Sequence, residues 1–177
     1  MIKLTMPDGS IREAEAGISA LELVKSISNS LAKKVLALSI DDKTMDLTTV
    51  LDRDCKVQFL TFEDEDGRGA FRHTAAHILA QAVKRLFPET KLAIGPSIAD
   101  GFYYDFDRDG GFTPEDLEKI EAEMKKIVKE DLKLERFTLS REEAVKLMNE
   151  LGEPYKVELI EDLPEDAEIS FYDQGGF

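Results

Sequence analysis

The two histidines of this 177-residue chain, His73 and His77, are its most chemically informative residues because they lie four positions apart. Within a helix this spacing puts both imidazole rings on one face, where they can act on a shared water, metal ion or substrate group. A helical wheel places them about 180° from the middle of the helix's apolar stripe, which disfavours two core imidazoles. Simple solvent exposure of both rings is the alternative interpretation.

A metal site at this pair would need at least one further ligand. The single cysteine, Cys55, lies in the other half of the chain, which excludes a CxxC-type zinc site and an intrachain disulfide. A site with two histidines and a carboxylate stays formally open. Thr74 occupies the position where a zinc protease of the HExxH type has its general-base glutamate. The sequence therefore disfavours a zinc protease, and because two histidines without a thiolate make a poor structural site, we expect no stoichiometric zinc and no metal ligands.

Other segments are chemically ambiguous. Residues 94–97 and 100–104 are candidate ligand loops, although their composition favours turns between strands. Lys156 has the sequence context of an ordinary surface lysine, and the acidic runs are typical of solvated faces. The chain contains no phosphate-binding loop of the Walker type and no Ser/His/Asp grouping that sequence alone can identify.

The charge of the chain limits its partners. Lys and Arg number 23 and Asp and Glu number 37, which gives a net charge of −14. This acidity argues against a protein that coats nucleic acid through charge, but it leaves a local RNA contact open. No apolar stretch reaches the roughly 18 residues of a membrane span, and the N-terminus has no signal-peptide core. With one free thiol, an intracellular, reducing location is expected.

The first half of the chain has the pattern of a small α+β domain. We expect a hairpin around residues 7–10, a helix that begins with a capping box at Ser19, a strand over 35–40, a turn at 41–43 and a closing strand over 56–62. This β-β-α-β-β order predicts one helix packed on a small mixed sheet.

The second half has longer helices and is also α+β. Helices are predicted over 70–87, from Thr113 to about Glu130, and from a capping box at Ser140 to Gly152. Strands are predicted over 92–98, 101–107 and 167–173. Between the halves, the polar segment 63–69 indicates a linker, so the predicted domains are 1–62 and 70–177.

Several motifs resemble those of a known family. Residues 2–10 (IKLTMPDGS), with the small α+β pattern that follows, resemble a TGS domain, a ubiquitin-like β-grasp module. Residues 71–82 (FRHTAAHILAQA), followed by 94–96 (IGP) and 101–106 (GFYYDF), resemble the editing domain of bacterial threonyl-tRNA synthetases. The two domains in this order account for the whole chain.

The resemblance implies hydrolysis of seryl-tRNA(Thr), the product of mistaken charging with serine. It implies that His73 and His77 help to position the attacking water as catalytic residues. Tyr104 and Lys156 match family positions that bind substrate, with Lys156 at the terminal ribose or in proton transfer. The implied partner is the 3′ end of tRNA(Thr), with no membrane or DNA partner, and the implied location is the cytoplasm.

The family pattern also includes a later Cys-x-x-x-His segment, which this chain does not contain. The chain is therefore expected to be an N-terminal fragment with part of its editing site missing and with impaired or no activity alone. No cofactor is expected in it, because the zinc, ATP and Mg²⁺ of the family, and its homodimer contacts, belong to absent domains. The alternative is a non-catalytic RNA- or ligand-binding regulatory module that contains a TGS domain.

Overall fold

A computed structural model describes all residues, 1–177, and confirms the α+β class. The chain divides into two compact units, Met1–His73 and Thr74–Phe177, which are described separately below. None of the six helices combines the length and the apolar character that a membrane-spanning helix requires.

The first unit contains seven strands and two short helices before the long helix that follows them. In chain order these are β1 (Ile2–Thr5), β2 (Ile11–Ala14), β3 (Ile18–Ser19), α1 (Ala20–Ile27), α2 (Asn29–Ala32), β4 (Ala37–Ile40), β5 (Lys43–Met45), β6 (Val50–Leu51) and β7 (Cys55–Leu60). Five strands form one sheet in the order β2-β1-β7-β4-β5, and β3 pairs with β6.

The local chemistry of the turns explains this topology. In the β1–β2 hairpin Gly9 has a φ of +80° and donates its amide to the Met6 carbonyl. Asp41 and Asp42 both have positive φ in the two-residue loop between β4 and β5, a conformation that aspartate tolerates better than most residues. The central pair, β1 and β7, is parallel, and α1 covers the sheet by burying Leu23 in the same cluster as Leu4.

The long helix α3 (Glu65–Leu86) begins inside the segment predicted to be an irregular linker. The carboxylate of Asp64 accepts the Thr61 amide, and Arg68 donates to the carbonyl oxygens of residues 62 and 63. A Cβ atom at Gly67 would lie 1.9 Å from the Thr61 carbonyl oxygen, so this contact requires glycine. Residues 65–69 are therefore helical, while the division into domains at 62 and 70 stays a prediction.

After α3, the second unit contains six short strands and three helices. They are β8 (Lys91–Leu92), β9 (Ser97–Ile98), β10 (Gly101–Phe102), β11 (Phe106–Asp107), α4 (Pro114–Glu130), β12 (Leu134–Leu139), α5 (Arg141–Glu150), α6 (Pro154–Glu161) and β13 (Ile169–Gln174). β8 pairs with β11, β9 with β10, and β12 with β13, all antiparallel.

Two apolar clusters hold the second unit together. Ala82 and Val83 of α3 pack against Ile120 and Ile127 of α4. A separate cluster joins α5, α6 and β13 through side chains that are buried on each element: Ala144, Met148, Ile160 and Ile169. These clusters fix the elements that carry the candidate site.

Candidate functional site

Helix α3 positions both histidines. His73 is exposed and His77 is half-buried, and the helical spacing of four places their rings on one side of α3. The partial burial of His77 agrees with the wheel, which disfavours two core imidazoles, and differs from the alternative in which both rings are solvent-exposed. The reason is that α3 is covered on two sides, by α4 at Val83 and by β13 at Gln81, so its non-apolar face is also partly enclosed.

β13 contacts the histidine side of α3 through a polar seam. The ring of His77 lies edge-to-face with that of Tyr172, with centroids 6.0 Å apart. One turn further along α3, the Gln81 side-chain amide donates to the Gln174 carbonyl at 3.0 Å. The carboxamide oxygens of Gln81 and Gln174 are buried and accept no hydrogen bond from the protein, which is uncommon in a folded core.

A second cluster surrounds Tyr104, which lies between β10 and β11. Its ring stacks on that of Phe106 with centroids 4.7 Å apart. A Cβ atom at Gly95 would lie 2.1 Å from the Tyr104 ring, so glycine is needed for the 94–97 segment to approach it. Burial, with the negative charge of Glu153 second, raises the pKa of Tyr104 to about 12. The phenol is therefore neutral at physiological pH.

Lys156 of α6 completes this cluster. Its ammonium group lies 5.5 Å from the centroid of the Tyr104 ring, within the range of a cation–π interaction. Burial lowers the pKa of Lys156, and the charge of Glu153 opposes that effect. Lys156 is half-buried, so it differs from the ordinary surface lysine that its sequence context suggests.

Glu153 links α6 to α3 and β8. One carboxylate oxygen lies 2.6 Å from the Lys84 ammonium, and the other accepts the Leu92 amide at 2.8 Å. Lys84 also donates to the carbonyl oxygens of Pro88 and Thr90, so three acceptors surround its three N–H groups. Because Lys84 follows His77 by seven residues, about two turns, these two residues lie on the same side of α3 and are separated by roughly 10 Å along its axis.

The sequence identified the histidine pair from spacing, and it identified Tyr104 and Lys156 only through the family resemblance. The structure brings Tyr104 and Lys156 together and places His77 beside Tyr172. Sequence reasoning missed Glu153, although the order Gly-Glu-Pro before a helix marks it as an N-cap. No group of three His, Cys, Asp or Glu side chains in the chain is arranged to hold a metal ion.

Comparison with known protein families first assigns the N-terminal sheet and its helix to a class of domain. Residues 2–61 match the TGS domain family, so the mixed sheet with its covering helix is a TGS domain with a β-grasp-like fold.

The rest of the assignment comes from whole-chain similarity. All 177 residues align at 62% identity with a threonine–tRNA ligase of Acetivibrio thermocellus, at 60% with one of Clostridioides difficile and at 63% with one of Clostridium botulinum. The chain is therefore homologous to the N-terminal part of threonyl-tRNA synthetases and contains their TGS domain. It spans 28% of the length of each of these relatives.

Proposed function

We propose that this chain provides part of a hydrolytic editing site that removes serine from mischarged seryl-tRNA(Thr). The observation that carries the proposal is the His73/His77 pair on one side of α3, in a chain homologous throughout to threonine–tRNA ligases. The need for such a site is physical. Serine lacks one methyl group of threonine, and a pocket gains only ~1–3 kcal/mol from a group of that size.

The proposed reaction is ester hydrolysis at the tRNA 3′ end. The oxygen of a water molecule bonds to the seryl carbonyl carbon, the ester bond to the ribose oxygen breaks, and that oxygen receives a proton. His73 and His77 hold the water and accept its proton. The contact between His77 and Tyr172 fixes one ring, and a fixed ring is needed to aim the water.

Tyr104 and Lys156 are proposed to bind the substrate. The half-buried ammonium of Lys156 offers a positive charge to the terminal ribose oxygens or to the oxyanion that forms at the carbonyl. Because the Tyr104 phenol is neutral, it adds no negative charge that would compete with the substrate for the Lys156 ammonium. Its ring forms one wall of the proposed pocket. The reaction as proposed uses these groups and water, with no metal held by this chain.

We further propose that residues beyond this chain complete the site, because the homologous ligases are more than three times as long. The partner is then the 3′ end of tRNA(Thr) in the cytoplasm. ATP, Mg²⁺ and zinc are assigned to the aminoacylation part of the long proteins, and so is homodimer formation. On this basis the 177-residue chain deacylates seryl-tRNA much more slowly than a longer protein does.

The test is a deacylation assay with seryl-tRNA(Thr) and threonyl-tRNA(Thr). The assay compares this chain with a chimera in which it is followed by the remainder of the Acetivibrio ligase. We expect the chimera to hydrolyse seryl-tRNA, to spare threonyl-tRNA and to be insensitive to a chelator. Substituting either histidine by alanine is expected to slow it by ~10²-fold or more, the scale of general acid–base assistance.

The control is Glu118→Ala, which removes an exposed side chain from α4 and should leave the rate unchanged. Equal rates for this chain and the chimera would show that no further residues are needed. If neither protein deacylates seryl-tRNA while both bind tRNA, the chain is a non-catalytic RNA-binding module.

A further inference from the structure

Glu153 is a buried acid in an unusual position. It is 4% exposed and is the N-cap residue of α6, yet its side chain makes no hydrogen bond to the amides of that helix. A capping residue normally accepts one of these amides. The Glu153 carboxylate instead binds Lys84 and the Leu92 amide, so its negative charge is held on α3 and β8.

The neighbour that this charge affects is Lys156, in the first turn of α6. A cation is disfavoured there twice, because the positive end of the helix dipole repels it and because burial removes water from it. The negative charge of Glu153 opposes this effect and acts to raise the pKa of Lys156. Its backbone carbonyl also accepts the Lys156 amide at 3.1 Å, so the two residues share one turn.

The remaining polar groups around this turn are accounted for. The other cations nearby are Lys84, which binds Glu153, and Lys91, which donates to the Gly152 carbonyl at 3.0 Å. Tyr155 donates its hydroxyl to Asp107 at 2.8 Å, and burial keeps Tyr104 neutral. Glu158, on α6 itself, is exposed.

We propose that Glu153 is a positioning residue of the candidate site, which holds the first turn of α6 against α3 and β8 and sets a buried negative charge in the same turn as Lys156, beside Tyr104. This inference rests on the proposed function only where it assigns Lys156 to the binding of a substrate. The geometry that supports it is independent of tRNA. An anionic ligand that reaches Lys156 would then meet an ammonium group whose positive charge is favoured by Glu153.

The test measures Lys156 directly by reductive methylation with formaldehyde and a borohydride at pH 8, quantified for each lysine by mass spectrometry. Only the neutral amine reacts. Glu153→Gln keeps an acceptor for the Leu92 amide but removes the charge, so we expect Lys156 to react about threefold faster or more. Lys84→Met removes the other cation that binds Glu153, so the negative charge of Glu153 then acts on Lys156 without a competing partner. This favours the unreactive protonated amine, and we expect Lys156 to react more slowly than in the unsubstituted chain.

Opposite changes in the two variants are the result that supports the proposal. If both variants react faster, loosening of the turn rather than charge explains the data and the proposal is wrong. No change in either variant also overturns it. Glu161→Gln, which removes an exposed charge from the last turn of α6, is the matched control.

Lys84→Met decides the question alone if Glu153→Gln fails to fold. The rate of lysine methylation does not depend on deacylation. A failure of the proposed editing function therefore appears only in the deacylation assay, and a failure of this inference appears only in the methylation rates.

Discussion

The phenol of Tyr104 is enclosed by Phe106, by the backbone at Gly95 and by the ammonium of Lys156. Burial, and after it the negative charge of Glu153, raises its pKa to about 12 in the folded chain, against 10.0 for a solvated tyrosine. Because the folded state binds the phenolic proton more tightly, this proton contributes stability that is complete below pH 10. That contribution is lost as the pH rises from 10 to about 12.

Tyr104→Phe is therefore expected to change the pH dependence of stability. The variant has no phenol to ionise, so its free energy of unfolding should fall less than that of the unsubstituted chain between pH 10 and 12. Urea unfolding followed by circular dichroism at several pH values measures this difference. Tyr103→Phe, which removes the exposed neighbouring hydroxyl, is the matched control. Parallel curves for Tyr104→Phe and the unsubstituted chain would contradict the prediction.

At the residue scale, spacing predicted the histidine pair because a helix repeats every 3.6 residues and brings positions four apart together. The same reasoning could not identify Lys156. Its environment depends on Tyr104 and Glu153, and Tyr104 lies on a segment more than 50 positions away that reaches it only in the fold. Glu153 was missed for a related reason, because its partners Lys84 and Leu92 are equally remote in sequence.

At the element scale, local hydrogen bonding defines where α5 begins. The Ser140 hydroxyl accepts the Glu143 amide at 3.3 Å, and the Glu143 carboxylate accepts the Ser140 amide at 3.0 Å. These bonds satisfy two backbone donors that a helix start otherwise leaves open. Since α5 holds Ala144 and Met148 in the cluster beneath α6, the cap also supports the element that carries Lys156.

Ser140→Ala is expected to destabilise the second unit by about 1 kcal/mol, because it removes the capping acceptor. Ser140→Asp restores an acceptor at the same position and should recover most of the loss. Chemical denaturation of the three proteins tests this, and equal stability of the alanine and aspartate variants would argue against a capping role.

The capped helices were the most predictable elements. Ser19, Thr113 and Ser140 are the N-cap residues of α1, α4 and α5, as predicted from capping boxes at the two serines and from the N-cap followed by proline at Thr113. The predicted strands over 92–98 and 101–107 are wrong in extent, since each is broken into two short strands. The aromatic alternation in the second of these segments reflects the stacking of Tyr104 on Phe106 rather than a continuous strand ladder. β12 and α6 were not predicted.

At the scale of the whole molecule, net charge limits any binding of RNA. With a net charge of −14, it offers few cations to the phosphates of a duplex. Binding to tRNA should therefore be weak and local. The two lysines of the candidate site, Lys84 and Lys156, are half-buried and do not form an exposed basic surface.

We expect the affinity of the 177-residue chain for uncharged tRNA to depend only shallowly on salt. One or two phosphate contacts give a slope of roughly −1 in a plot of log K against log salt concentration. Fluorescence anisotropy with labelled tRNA(Thr) between low and physiological salt measures the slope. Tight binding with a steep slope would show an extended basic surface that the charge distribution does not predict.

The buried cysteine of β7 gives this molecule a built-in reporter of local opening. Cys55 is the only thiol of the chain, is 9% exposed and belongs to the core cluster of the first unit. Burial also raises its pKa, which lowers the fraction of the reactive thiolate. A thiol reagent therefore modifies it only when the sheet around it opens. The rate of modification measures the free energy of that opening for the TGS domain alone. Stability changes introduced around Lys156 can thus be distinguished from those in the sheet without separating the two units.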